Sequence, residues 1–129
     1  MLGSEPQILY YARRKNCGRH VVAYPLVYKS GWAEKYQDEA MDSFLGSRPR
    51  VVVVDGWGPG WAGDQVLAAR YLTRSVREVE ARYRQAGGWV PDQDGGRWKE
   101  PLEGDEEERA TLLLYVDDGP AGGGAGDGT

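Results

Sequence analysis

The sequence predicts a small α/β domain in which a four-stranded mixed sheet packs against two helices, in the order β-β-α-β-α-β. Three observations support this fold class. The chain has 129 residues, which is enough for one domain. Apolar residues make up 40% of it and charged residues 28%, proportions that allow a buried core and argue against wholesale disorder. Four short apolar segments are interspersed with two segments of helical periodicity.

Two strand candidates open the chain, at residues 7–13 (QILYYAR) and 20–28 (HVVAYPLVY). The connector RKNCGR is rich in turn residues, and Asn16 and Gly18 readily adopt positive φ. We therefore predict a β-hairpin with a basic tip. Pro25 has no N–H group to donate to a ladder, so it marks an edge, a bulge or the end of the second strand.

Residues 32–45 predict the first helix, and residues 50–55 (RVVVVD) predict the third strand. Ser30 is a candidate cap for the start of the helix, and Gly46 fits the position after its last turn. Four consecutive valines are typical of a strand that is buried on both faces. The apolar residues of the helix recur every four positions: Trp32, Tyr36, Ala40 and Phe44, with Met41 and Leu45 beside them.

Residues 63–86 predict the longest helix, and residues 110–116 (ATLLLYV) predict the last strand. Asp64 is a candidate N-cap, and the glycines at 87 and 88 stop the helix. A right-handed crossover through this helix places the third and fourth strands parallel. The predicted apolar face of the helix consists of Val66, Leu67, Leu72, Val76, Val79 and Tyr83.

The C-terminal third differs from the rest of the chain in composition and charge. We predict one domain at residues 1–118, a long loop within it at 86–109, and a flexible glycine-rich tail at 119–129. Residues 1–90 carry 13 basic and 9 acidic side chains, a net charge of +4, whereas residues 91–129 carry 3 and 11, a net charge of −8. We hypothesise that the acidic residues 100–108 lie against the basic surface and compete with an anionic partner.

Basic side chains cluster at the tip of the predicted hairpin and along the second helix. Clustered Arg and Lys bind phosphates, and a nearby tyrosine can stack on a base. The leading prediction is a non-enzymatic recognition module that binds an anionic partner, either nucleic acid or an acidic protein surface. A solvated turn and salt bridges within the helix are the alternative interpretation of the same charges. The predicted partner-binding residues are Arg13, Arg14, Lys15, Arg19, Arg70, Arg77 and Tyr11.

The glycine-rich segment DGWGPGW after the third strand supports a second interpretation. Ligands of α/β sheets bind at the carboxyl ends of strands, and glycines let the backbone approach them. Asp55 is then the polar anchor of a small-ligand binder or enzyme, with Trp57 and Trp61 as stacking walls. The P-loop and dinucleotide-binding patterns are absent, and an ordinary strand-to-helix connection has the same composition.

The aromatic composition supports a third interpretation, a subunit of a multi-protein assembly. The chain contains five Trp and eight Tyr but only one Phe. Aromatic residues with a polar tip are favoured at interfaces, where one end of the side chain is dry and the other is wet. We expect the tryptophans to lie at a permanent interface in that case.

Cysteine and histidine are too few for the common metal and disulfide sites. Cys17 and His20 are the only residues of their types, which excludes an internal disulfide and the usual zinc sites, so we expect no metal and no cofactor. We interpret their C-x-x-H spacing as a small residue in a turn, Cys17, followed by a surface histidine, His20. No apolar run approaches about 18 residues and no signal-peptide pattern is visible, so we expect no membrane span and a cytoplasmic location.

Overall fold

The computed structural model describes residues 11–18, 24–55 and 64–119 of the chain. Over these residues the backbone forms short and long helices and one sheet, to which every described strand belongs. The elements, in chain order, are α1 (Tyr24–Val27), α2 (Ala33–Ser47), β1 (Val51–Asp55), α3 (Gln65–Glu80), β2 (Arg84–Val90), β3 (Arg97–Lys99), α4 (Glu106–Arg109) and β4 (Leu112–Val116).

The sheet is antiparallel throughout, with the strands in the order β1-β4-β2-β3. The prediction of a small α/β domain with a four-stranded sheet and packed helices is confirmed, but the parallel crossover to the last strand is wrong. After the β2–β3 hairpin the chain crosses back beneath β2, so β4 begins beside the end of β2, opposite Trp89, and runs in the same direction as β3. β1 lies at an edge, and Val51 is 51% exposed, so the four valines are not buried on both faces.

The predicted N-terminal hairpin is not formed by the described residues. Tyr11 has helical backbone and is followed by a turn, and Tyr24–Val27 is the helix α1. Leu26 and Val27 are almost fully buried in the core, where a helical turn packs them against α2 and α3. The remainder of both predicted strands lies outside the described residues.

Helix α2 turns the predicted apolar positions towards the core, with Met41 and Phe44 buried and Tyr36, Ala40 and Leu45 packed against them, but Trp32 is 58% exposed. Its buried residues are Ala33, Gln37, Met41 and Phe44. The helix continues through Gly46 to Ser47, and Arg48 takes the left-handed position after it, with φ of 45°. The N–H of Arg48 donates to the carbonyl of Phe44, so a non-glycine residue ends this helix.

Helix α3 begins where the sequence predicted, at an Asp64 cap. The Asp64 carboxylate accepts hydrogen bonds from the N–H groups of Val66 and Leu67, both at 3.0 Å. Its core face is rotated from the predicted one, because Val66 is 79% exposed. The buried positions of α3 are Ala68, Tyr71, Ser75 and Val79.

Gln37 joins α1, α2 and α3 at their point of contact. Its Nε2 donates to the carbonyl of Leu26 at 2.8 Å and to that of Leu67 at 2.9 Å. These bonds satisfy the carbonyls in a site where Gln37 is 0% exposed. A buried amide on α2 therefore fixes α1 and the first turn of α3 in place.

The predicted long loop at residues 86–109 is wrong, because most of it is ordered structure. Helix α3 ends at Glu80 rather than near residue 86, and β2 begins at Arg84. The turn after Val90 reverses the chain into β3, and α4 follows. The two glycines at 87 and 88, which were expected to stop a helix, instead lie within β2.

The helices cover one face of the sheet, which we call the inner face. Val52 and Val54 of β1 and Tyr115 of β4 point into this layer and belong to the core. The chain between β3 and β4 extends the cover over β2, since Leu102 and Ala110 lie 3.1 and 3.3 Å from where a Cβ of Gly88 would be. The opposite side is called the outer face.

Candidate binding surface

The outer face of the sheet is apolar across all four strands. Directly opposed residues of antiparallel strands lie on the same side, so the register places Val53, Leu114 and Gly87 together in one row. Because side chains alternate between the two faces along each strand, the residues two positions before and after Val53 and Leu114, and their partners in the register, also lie on the outer face. The apolar side chains of the outer face are Val51, Val53, Trp89, Trp98, Leu112, Leu114 and Val116.

Several of these side chains are open to solvent. Val51 is 51% exposed, Trp89 39% and Trp98 44%, and the other four are half-buried. A tryptophan presents up to about 250 Å², so the two indoles present roughly 100 Å² each. The whole face then presents an apolar area of roughly 300–500 Å², the size of the largest patches on monomeric proteins. A sheet face in contact with water alone ordinarily carries polar side chains instead.

The two tryptophans form a cross-strand pair held in place by glycines. Trp89 of β2 lies directly opposite Trp98 of β3. A Cβ on Gly87 would come within 2.8 Å of Trp98 Cζ2 and 2.4 Å of the Lys99 carbonyl oxygen. The Trp98 ring therefore lies across Gly87, and only glycine leaves it room to do so. Gly96, with φ of +124°, makes a comparable close approach to Trp89 Nε1.

Charged residues border this face at the β2 start and at the β2–β3 turn. Arg84 makes a two-pronged contact with Asp118, with Nε at 2.9 Å from Oδ2 and Nη2 at 3.1 Å from Oδ1. The hydrogen bonds from Arg84 lower the pKa of Asp118 below its usual value. At the opposite end Asp92 lies 4.0 Å from Arg97. Both pairs are exposed and form a polar rim around the apolar centre.

The predicted basic site is only partly described. Arg13, Arg14 and Lys15 are exposed, and Tyr11 is 80% exposed. Arg19 and His20 lie outside the described residues. These positions belong to a turn after Tyr11 rather than to a hairpin tip, and Arg13 has a φ of 52°.

The two predicted helix arginines differ in their surroundings. Arg70 reaches across to α2, where its Nη1 lies 3.1 Å from Glu34 Oε1 and its Nη2 lies 4.0 Å from Asp38 Oδ1. Sequence spacing within α3 offered Arg70 no acidic partner, whereas the packing of two helices supplies one. Arg77 lies about two turns further along α3, where it is exposed beside Leu72 and Val76.

The acidic segment at residues 100–108 packs under β2 and β3 instead of along the arginines of α3. Glu106 lies 2.7 Å from Lys99 Nζ, and its pKa is lowered by that hydrogen bond and by the N–H of Glu103. Asp105 lies 3.6 Å from Arg109. These contacts are local to the segment. Arg70 and Arg74 are paired with acidic residues of α2 instead.

The alternative ligand loop lies largely outside the described residues, including Trp57 and Trp61. Asp55 ends β1 opposite Leu112. The described residue that follows the loop is Asp64, whose carboxylate already accepts the first free N–H groups of α3. An anionic ligand at this helix end would therefore meet a carboxylate in its place.

Three further features bear on chemistry. Within residues 11–18, 24–55 and 64–119, no group of three or more His, Cys, Asp or Glu side chains is placed to hold a metal ion. No helix in the same residues is long and apolar enough to cross a membrane.

Cys17 is half-buried against the core, and burial raises the pKa of the nearby Tyr71 hydroxyl to about 12.

Sequence reasoning did not find the outer face, although one signal for it was present. Residues 89–98 (WVPDQDGGRW) contain an Asp-Gly pair between Trp89 and Trp98, and an Asp-Gly pair between apolar segments is a known hairpin signal. Read as a turn, it places Trp89 and Trp98 on facing strands. The interpretation of residues 86–109 as a loop hid this pairing.

Comparison of the chain with known protein families, with curated proteins and with solved structures finds no match. We therefore infer the function from the surface of the protein itself.

Proposed function

We propose that this protein is a recognition module, a subunit of a protein assembly, that binds a protein partner on the outer face of its sheet. One observation carries the proposal: seven apolar side chains, two of them tryptophans, form a continuous face that the described chain leaves open to solvent. Exposed apolar patches of this kind, rimmed by polar residues, are typical of protein–protein contact sites. This supports the third of the interpretations drawn from the sequence.

The chemistry of the face favours a protein over a nucleic acid or a sugar. Trp89 and Trp98 offer flat surfaces that would suit a base or a sugar ring. The centre of the face is otherwise Val and Leu, which offer no hydrogen bonds to hydroxyl groups and no charge to phosphates, and Arg84 at its border is already bound to Asp118. At about 25 cal/mol per Å², burial of 300–500 Å² contributes roughly 8–12 kcal/mol before the costs of association. That amount suits the central part of a protein interface.

Photo-crosslinking tests the proposal with the full chain. Benzoylphenylalanine placed at Trp89 or at Trp98, in cells that make the protein, is expected to yield one adduct of the same mass from both positions. The same probe at Val66, which is 79% exposed on α3, serves as the control and is expected to yield none. No adduct from the two face positions, or the same adduct from all three, would refute the proposal.

A matched pair of tryptophan variants then measures the contribution of the face. Trp98→Ala is expected to weaken binding of the crosslinked partner by roughly 30-fold, as truncation of a central aromatic residue commonly does. Trp32→Ala removes a more exposed tryptophan, 58% exposed at the start of α2, and is expected to leave binding unchanged. Equal losses in both variants would contradict the assignment.

A second candidate function is binding of an anionic partner through the basic segment after Tyr11. The exposure of Arg13, Arg14 and Lys15 favours it. Binding to a mixed nucleic-acid pool is expected to fall steeply with salt and to weaken when these three residues become Ala. Binding without salt dependence, or unaffected by the triple substitution, would refute this candidate.

A further inference from the structure

The two edges of the sheet are built very differently. The β3 edge is three residues long and carries a charge on each side of its tryptophan, at Arg97 and Lys99. Short length and charged side chains are the usual means by which an edge avoids pairing with other chains. The β1 edge has five residues, and four of them are consecutive valines. It has neither a proline nor a lysine within the strand, and its one charged residue, Asp55, is the last, so it has less of the protection that β3 has.

The hydrogen bonds of β1 show which of its backbone groups face outward. The N–H of Asp117 donates to the carbonyl of Arg50 at 2.9 Å, and the register places these two residues opposite each other. In an antiparallel ladder, residues of one parity exchange both bonds with the neighbouring strand, and residues of the other parity point away from it. The outward-facing N–H and C=O groups of β1 are therefore those of Val51, Val53 and Asp55.

We propose that β1 pairs antiparallel with β1 of a second copy of this chain, with Val53 opposite Val53 on the twofold axis. This register also places Val51 opposite Asp55, and all three outward-facing residues on each strand are then paired, which amounts to about six backbone hydrogen bonds. Centring the pair on Val52 instead would set Asp55 opposite Pro49, which has no N–H group. The Val53 register therefore uses the whole edge.

The proposed pairing is self-complementary in its side chains as well. On the inner face Val52 of each strand lies opposite Val54 of the other, so valine meets valine. The result is a continuous eight-stranded sheet whose outer face is twice as wide. This proposal does not depend on a partner at the outer face: Val51 and Val53 carry side chains of that face, but the pairing rests on the outward N–H and C=O groups of the β1 backbone, which amide exchange reports directly. An edge pair of five residues buries little area, so we expect a concentration-dependent dimer.

Sedimentation of the full chain over about 1–500 μM, the range in which contacts of small area associate, tests the pairing. The wild-type chain is expected to dimerise. Val53→Lys and Val53→Glu each place like charges across the twofold axis and are expected to weaken dimerisation by roughly tenfold or more. An equimolar mixture of the two variants sets Lys opposite Glu and is expected to restore the dimer. Val66→Lys, on α3, is the control and is expected to dimerise like the wild type.

Amide exchange provides a readout that needs no variant. The N–H groups of Val51 and Val53 are expected to become protected as the wild-type concentration rises, whereas those of Val52 and Val54 are protected at every concentration. A chain that stays monomeric at the highest concentration would overturn the proposal. So would a dimer that is insensitive to the charge at position 53, or one in which the Val53 amide still exchanges freely.

Discussion

Replacing Gly87 with alanine is expected to destabilise the sheet and to displace Trp98 from the outer face. The added Cβ would lie 2.4 Å from the Lys99 carbonyl oxygen and 2.8 Å from Trp98 Cζ2. Ordinary contacts of such atoms are about 3.5–4.0 Å, so both neighbours must move by roughly an ångström. The carbonyl is backbone and belongs to the residue paired with Gly88, so its movement separates β3 from β2.

The size of the effect follows from that overlap. Insertion of a methyl group into a packed site costs about 1–3 kcal/mol, and the backbone neighbour places this site near the upper end. We expect a loss of about 2–3 kcal/mol in the free energy of unfolding. For a domain of this size, that corresponds to a fall of roughly 10–20 °C in Tm.

Chemical and thermal unfolding of Gly87→Ala, beside Gly46→Ala, measures the effect. Gly46 lies inside α2, where an added Cβ meets nothing within 4 Å, so its substitution is expected to stabilise the helix by about 0.5–1 kcal/mol. Trp98 fluorescence, isolated by replacing the other tryptophans with Phe in both variants, reports the ring's position. If Gly87→Ala were as stable as the wild type and its Trp98 emission unchanged, the description of the outer face would be wrong.

Three further predictions concern the helices that support the sheet. Asp64→Ala removes the cap of α3 and is expected to lower the free energy of unfolding in urea by about 1 kcal/mol, whereas Asp64→Ser is expected to retain most of that stability; equal losses in the two variants would argue against capping. Gln37→Ala removes the side-chain donor to the Leu26 carbonyl and the second donor to the Leu67 carbonyl, which keeps its bond within α3, and it creates a cavity, so it is expected to cost about 2–4 kcal/mol; a loss below 1 kcal/mol would contradict this role of Gln37. Burial raises the pKa of Tyr71 to about 12, from 10 when unfolded, so the folded state holds this proton more tightly and stability falls as pH rises from 10 to 12. The free energy of unfolding that Tyr71 loses in total is of order 2–3 kcal/mol. The free energy of unfolding of Tyr71→Phe is expected to fall less steeply with pH over that range, and an equally steep fall would refute the role of Tyr71.

Local signals in the sequence were read correctly where a few neighbouring residues determine the structure. Asp64 caps α3 as predicted, because an aspartate side chain reaches the N–H groups two and three residues ahead of it in any tertiary setting. The first helix and the valine strand also lie close to their predicted positions. Their end points were less accurate: α2 runs past Gly46, because Arg48 accepts the left-handed conformation that glycine was expected to adopt.

The candidate surface was harder to predict, because its parts come from distant positions. Trp89 and Trp98 were both noted in the sequence, but the segment that carries them was interpreted as a loop. Arg70 was expected to be free for a partner, since acidic residues are absent at helix spacing, and it is instead paired with Glu34 of another helix. Such pairings depend on how helices pack, which spacing along one helix does not reveal.

The sequence by itself determined the size of the domain, the presence of two long helices, the capped start of α3 and the existence of β1 and β4. Only the tertiary structure decided that β1 runs antiparallel to β4 and lies at an edge of the described sheet, and that the described residues leave one sheet face uncovered. A valine-rich strand has the same local preference at the centre or at the edge of a sheet. Its place depends on which distant segment pairs with it. Here the segment between β3 and β4 crosses back beneath β2, so β4 runs in the same direction as β3 and antiparallel to β2 and β1, and the outward groups of β1 bond to no described strand.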